Sequence, residues 1–342
     1  MVCVAAFIVL LLIGIFVAFI SIFKRDFGKK YLKVLKKSFH CFGKKVRLQK
    51  CDTNFSDDVK TILLKKVIIK KPKLVKPLSI TIEIASVLLV ILTAWSIIEA
   101  AKAGLSLWVF GTCNVSQPSN CALGADSCGL DEDNLNWFSE WGEIFNNIPD
   151  RLKNWDVSSY DFAISFTTGN KYSDNIALAI IDPGCSVCLQ SYKNIKKNQD
   201  FLDKHQIRVV LYPIKNTNGE LRFKNSELIS KFILAANDVL GTDEYSAKII
   251  DRIFTEYNQE GTIYQAVFND QIGKDDAKQL LAGWLLEWGV SKENVEEIVN
   301  SIDSKETIEK LENNINLVGT EIKPKGIPTM IYDGGKHLGL FK

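Results

Sequence analysis

Two long apolar stretches, Val4–Phe23 and Leu78–Ile98, restrict this chain more than any other feature, and only Glu83 interrupts the second. About 20 residues at roughly 1.5 Å per residue cross a hydrocarbon core of about 30 Å. In lipid, a single stretch of that length satisfies its own backbone only as a helix. Two transmembrane helices are therefore expected, one within 1–23 and one within 77–110 including its flank. The first reads poorly as a cleaved signal peptide, because it has no positive leading region, no small-residue cleavage site and a basic flank on the wrong side.

The block between them, 24–76, carries 18 Lys and Arg against Asp26, Asp52, Asp57 and Asp58, a net +14. The whole chain of 342 residues nets +2, so the remainder nets −12. Positive flanks stay on the cytoplasmic side. The expected topology is a two-pass cell-membrane protein with a basic cytoplasmic loop. Its N-terminus and everything after about residue 99 lie outside the cytoplasm. The basic loop is read as a topology signal helped by anionic lipid, so the lipid membrane is an expected partner and nucleic acid is not. Glu83, one turn inside the cytoplasmic end, reads as a snorkelling residue. Trp95, Trp108 and the lysines at 70–76 read as interfacial anchors.

That topology divides the eight cysteines. Cys41 and Cys51 fall in a reducing cytosol, whereas Cys113, Cys121, Cys128, Cys185 and Cys188 fall where disulfides persist. Cys3 sits at the outer end of the first span. "CNVSQPSNCALGADSC" (113–128) reads as a loop in an extracytoplasmic linker, 111–159. Its three cysteines are structural disulfide candidates, one of them left free or paired with Cys3. His40, Cys41 and Cys51 make at most half a metal site, and no metal is expected. Leu135, Phe138, Trp141 and Phe145 recur at helical spacing in the same linker.

From about 160 to 342 the chain changes to a mixed domain. Tyr160, Phe162, Ile164 and Phe166 alternate as in a half-buried strand. Asn175–Ile181 reads as a buried central strand, Tyr192–His205 as helix and Ile207–Ile214 as a further strand. About 225–316 has helical periodicity throughout. Thr329–Tyr332 and His337–Phe341 then form a hairpin about Asp333-Gly334-Gly335.

At the first strand-to-helix corner stands "DPGCSVC" (182–188). As a zinc half-site it lacks two further ligands. As a staple it closes a very small loop and constrains the unfolded chain little. As a redox pair, Cys185 meets the unpaired N–H groups and positive dipole end of a helix, which favour thiolate. Cys185 is then the exposed nucleophile and Cys188 the resolving thiol. Asp182 works against thiolate formation if it is charged and close.

The strand–Cys-x-x-Cys–helix corner, Ile327-Pro328-Thr329 and the closing hairpin resemble a thioredoxin fold. The helical insertion resembles the DsbA-like branch of thiol–disulfide oxidoreductases. The resemblance implies an α/β thioredoxin-like fold with a helical insertion, preceded here by two transmembrane helices. It further implies a redox activity at Cys185 and Cys188, with no cofactor. A cis-proline at Pro328 would face the cysteines, and Ile327, Pro328 and Thr329 would form the substrate-binding wall. Expected partners are exported proteins with cysteines and a membrane redox partner, either a quinone-linked oxidase or a reductant conduit. A non-catalytic thioredoxin-like binding module or an assembly factor at the membrane are the alternatives. Two departures stand out. Ser186-Val187 replaces the better-known intervening dipeptides, which leaves the direction of electron flow open. Lys342 follows the hairpin without the final helix usual in the fold.

Overall fold

The computed structural model describes residues 72–118, 126–130 and 135–341, together with isolated helical positions at 36, 40, 44, 61, 64 and 69. The first expected span, most of the basic loop, and Cys3, Cys41, Cys51 and Cys121 lie outside the described residues. The chain divides into two compact units at Ala101/Lys102. One helix among the described residues, Pro72–Phe110, is long and apolar enough to cross a membrane.

In its α-helical part, α1 (Val75–Phe110), Pro77 falls in the first turn, where its missing N–H costs nothing. The hydroxyls of Thr81, Ser86, Thr93 and Ser96 each donate to the carbonyl four residues back. A helix in an apolar medium can carry such hydroxyls because they never lack a partner. Leu88, Leu92, Trp95 and Ile97 are more than half exposed along it.

In the second unit, α2 (Trp137–Leu152) is capped by Asn136, whose side chain accepts from the Ser139 N–H. The spacing anticipated this helix and left open which face it buries. Ile144 is fully buried in a small core with Val109 and Val115, whereas Phe138 and Phe145 are mostly exposed. Lys102 and Ser116 both donate to the Glu140 carboxylate, at 2.7 and 2.6 Å. Trp137, Phe138, Trp141 and Phe145 instead pack on one another along the outside.

The main sheet has five strands in the order β2-β4-β3-β6-β7, namely β2 (Phe166–Gly169), β3 (Ile176–Ile181), β4 (Gln206–Leu211), β6 (Thr329–Tyr332) and β7 (Gly335–Leu338). β3 and β4 are parallel, while β2, β6 and β7 run antiparallel to their neighbours. The parallel pair is joined by α3 (Ser186–Lys197) and α4 (Gln199–Lys204), since a parallel connection needs a crossover. Ala177 to Ile181 are all buried, as expected of a strand covered on both faces. A separate two-stranded pairing joins β1 (Cys128–Gly129) to β5 (Gly326–Ile327).

Between β4 and β5 lies the helical region: α5 (Ser226–Leu240), α6 (Glu244–Thr255), the short α7 (Tyr264–Ala266), α8 (Lys274–Glu287), α9 (Lys292–Ser301) and α10 (Lys305–Leu317). Gly241 closes α5 in the left-handed conformation. Ser291 and Ser304 cap α9 and α10 through their side chains. α7 runs into a π-helical turn, Val267–Gln271. The strand order and the helical region make a thioredoxin-like fold. The β6–β7 hairpin turns on Asp333 and Gly334, both at positive φ, which suits a two-residue turn.

The strand expected from Tyr160 begins only at Phe166. Its approach is held by side chains instead. The Asn314 side chain accepts from the Ala163 N–H and donates to the Ala163 carbonyl, both at 2.8 Å. A backbone satisfied this way has no need of a neighbouring strand.

Candidate active site

β3 ends at Ile181, and Asp182-Pro183-Gly184 turns the chain into α3 with Cys185 as its N-cap residue. Ser186, Val187 and Cys188 are the first three helical positions, so Cys185 and Cys188 stand one turn apart on the same face. The turn is crowded. A Cβ at Gly184 would overlap the Phe223 side chain, so only glycine fits there.

The helical region grips this corner by its backbone. Gln265 Nε2 donates to the carbonyls of Pro183 at 2.9 Å and Cys185 at 3.0 Å. Asn269 Nδ2 donates to the Gly184 carbonyl at 2.8 Å. Asn269 is presented by the π turn, a local widening of the helix that recurs at functional sites. Neither Gln265 nor Asn269 carries a motif, and their roles arise from contacts about 80 residues apart in sequence.

Asp182 is fully buried beneath the corner. Its carboxylate accepts from the Gly184 N–H at 2.7 Å, the Ile214 N–H at 2.6 Å and the Ser226 hydroxyl at 2.5 Å. Burial nevertheless raises its pKa to about 6, against the opposing pull of those bonds and of Arg222. The Asp182 N–H points at Cys188 Sγ, 3.3 Å away. Burial pushes the Cys188 thiol well above its ordinary pKa, and the Asp182 charge pushes it the same way. The anticipated opposition of Asp182 to thiolate thus falls on Cys188.

The cysteine pairing differs from the expectation. Cys185 is bonded to Cys128, with S–S 2.03 Å and Cα–Cα 6.5 Å, and Cys188 is a free, buried thiol. Cys185 is completely buried, where an exposed nucleophile was expected. The reason is tertiary. β1 pairs antiparallel with β5, placing Cys128 opposite Ile327 and Gly129 opposite Gly326. Cys128 is thereby carried onto the wall beside Cys185, whose Sγ lies 3.8 Å from the Ile327 carbonyl oxygen. Cys113 is also disulfide-bonded, to a partner outside the described residues. Of the three loop cysteines read as staples, Cys128 is the one joined to the corner.

The Ile327–Pro328 peptide bond is cis. Ile327, Pro328 and Thr329 are buried, and the Thr329 hydroxyl donates to the Gly326 carbonyl at 2.7 Å. Of these three residues, Ile327 reaches the cysteine corner through its carbonyl and stands opposite Cys128 of β1. Among the described residues no cluster of His, Cys, Asp and Glu could hold a metal ion.

No family model matches the chain, and no curated protein matches it. Among solved structures, it is similar to the thiol-disulfide exchange protein alpha-DsbA2 from Wolbachia pipientis, at 16% identity and a TM-score of 0.37, over 54% of this chain and 87% of that one. It is also similar to a thioredoxin-like oxidoreductase from Silicibacter pomeroyi DSS-3, at 11% identity and a TM-score of 0.37, over 52% and 84%. A third is the catalytic domain of Proteus mirabilis ScsC, at 12% identity and a TM-score of 0.32, over 53% and 84%. At these levels the fold assignment rests on this chain's own strand order and helical region.

Proposed function

We propose that this protein is a membrane-anchored thiol–disulfide oxidoreductase acting outside the cytoplasm on cysteines of exported proteins. Cys185 is the sulfur that exchanges and Cys188 the thiol that resolves. One observation carries the reading: Cys185 is the N-cap of α3, already in a disulfide, with a free Cys188 one turn further along. Exchange needs a thiolate, a disulfide sulfur and a leaving sulfur in reach of one another. The unpaired N–H groups of the first turn of α3 favour negative charge on the Cys185 sulfur when it leaves. Ile327, Pro328 and Thr329 then form the wall against which a substrate strand lies. Electrons pass to or from a membrane redox partner, either a quinone-linked oxidase or a reductant conduit.

Replacing Cys185 with Ala is expected to abolish insulin reduction and dithiol oxidation by the full chain; retained activity overturns the assignment. Extracytoplasmic placement requires a membrane-impermeant maleimide to reach the reduced Cys185 from the outer face of intact cells. Labelling solely in inverted vesicles would contradict it.

A second reading is favoured by the burial of Cys185 and the raised pKa of Cys188. In it the Cys128–Cys185 bond is a permanent staple of a binding module. The two readings diverge under dithiothreitol in native buffer. An oxidoreductase loses the bond within minutes while remaining folded, and a staple keeps it until the domain unfolds.

A further inference from the structure

The 126–130 segment sits on the candidate site in an unusual way. Its hydrogen bonds to the rest of the domain are made through its own main chain. The Leu340 N–H donates to the Asp126 carbonyl at 2.9 Å, and the Leu130 N–H donates to the Lys325 carbonyl at 3.0 Å. Arg222 Nη1 donates to the Gly129 carbonyl at 2.8 Å. Between these anchors, Cys128 and Gly129 pair antiparallel with Ile327 and Gly326. The one side chain bonded covalently is Cys128, to Cys185. Main-chain pairing gives affinity without choosing a sequence, and it is the way a sheet edge accepts an added strand. Gly326 makes the approach possible. A Cβ there would lie 2.6 Å from Ser127 Oγ and 3.2 Å from the Cys128 carbonyl oxygen.

We propose that 126–130 is a built-in stand-in for substrate and that Cys128 is a third redox cysteine, exchanging with Cys188 for Cys185. This rests on the oxidoreductase reading above. The Cys188 thiolate attacks Cys185 Sγ. The Cys185–Cys188 bond forms as the Cys128–Cys185 bond breaks, and Cys128 leaves as a thiolate that takes up one proton for the one Cys188 gave up. No electrons enter or leave the protein. The reverse attack by Cys128 restores the starting bond. While Cys128 is bonded, the Gly326–Ile327 edge is filled and Cys185 is shielded. Once it is released, the same edge accepts an extended polypeptide segment bearing a cysteine. The occupant the edge fits is therefore an extended Cys-containing strand with a small residue after the cysteine, as Gly129 follows Cys128.

The test uses the full chain in detergent, quenched in acid, alkylated and mapped by peptide mass spectrometry. Wild type is expected to contain both the 128–185 and the 185–188 disulfide, in a ratio independent of total glutathione at fixed poise. Gly326→Val, which replaces no cysteine, is expected to shift that ratio at least about tenfold toward 185–188, because a tethered competitor acts at millimolar effective concentration. Cys128→Ser is expected to show 185–188 alone. Cys128→Ser is expected to form a mixed disulfide at Cys185 with an extended Cys-Gly peptide about tenfold faster than wild type, whereas Gly326→Val, whose added side chain crowds that same edge, gains no such rate. Wild type holding 128–185 alone, with Gly326→Val unchanged in ratio and Cys128→Ser no faster with the peptide, overturns the inference. If folded Cys128→Ser still exchanges through 185 and 188 in that case, the oxidoreductase reading survives. Folded Cys128→Ser that is unreactive with peptide and insulin overturns both.

Discussion

Asp182 is the residue at which burial and chemistry oppose each other most directly. Its three accepted hydrogen bonds tie β3, the start of α5 and the chain after β4 to one carboxylate, yet desolvation holds its pKa at about 6 rather than the ordinary 3.8. The folded state thus binds this proton more tightly than the unfolded one. The stabilising contribution of the protonated form is full below about pH 3.8 and is lost as pH rises through about 6. The shift corresponds to something on the order of 3 kcal/mol. Urea unfolding of wild type and Asp182→Asn from pH 4 to 7 measures it. The difference between them is expected to move in the variant's favour with rising pH, whatever constant offset the lost Ile214 bond imposes. A pH-independent difference would show that Asp182 does not titrate in this window.

Among the elements, α3 and the helical region act as a pair. The N-terminal turn of α3 leaves N–H groups free to face sulfur, while its preceding carbonyls are taken up by Gln265 and Asn269. Tyr192, further along α3, stacks edge-on to Phe254 and bonds Asp251, both on α6. The cysteine corner is therefore held by helices about 60 to 85 residues away in sequence. Gln265→Ala strands the buried Pro183 carbonyl, while the Cys185 carbonyl keeps the Leu189 N–H, and is expected to cost about 1–3 kcal/mol, read from urea unfolding. If the grip also positions the sulfur, the same variant exchanges with glutathione at a changed rate, which quenched alkylation records.

Over the whole molecule, the Cys128–Cys185 bond spans 57 residues and joins β1 to the start of α3 within the second unit. Closing a loop of that length in the unfolded chain is worth about 4 kcal/mol at 25 °C in the chain-entropy picture. Equilibrium unfolding of the second unit with and without a phosphine reductant is expected to differ by up to that amount. A null difference would mean that the unfolded chain stays compact there. Because the two states in the proposed exchange close very different loops, stability favours 128–185, and the short 185–188 loop gains little from chain entropy.

Much of this was open to reading from residues alone, for a physical reason. The α1 stretch is apolar over more than a span, β3 is apolar on both faces, and the helices between β4 and β5 repeat every three to four residues. Those are local periodicities set by helix and strand geometry. The corner "DPGCSVC" declared itself the same way, by a strand ending against turn residues and then cysteines. The partner of Cys185 did not. Spacing put Cys188 forward, because a neighbour in sequence is the nearest sulfur the one-dimensional chain offers. The fold instead brings Cys128 across by pairing two-residue strands, β1 and β5, too short to leave any pattern. Gln265, Asn269 and Arg222 were equally silent, since a side chain that bonds a distant carbonyl needs no motif. The sequence by itself determined the elements and the cysteine corner. The tertiary structure alone decided which sulfur the corner holds and what covers it, because disulfide choice and strand addition depend on distance in space.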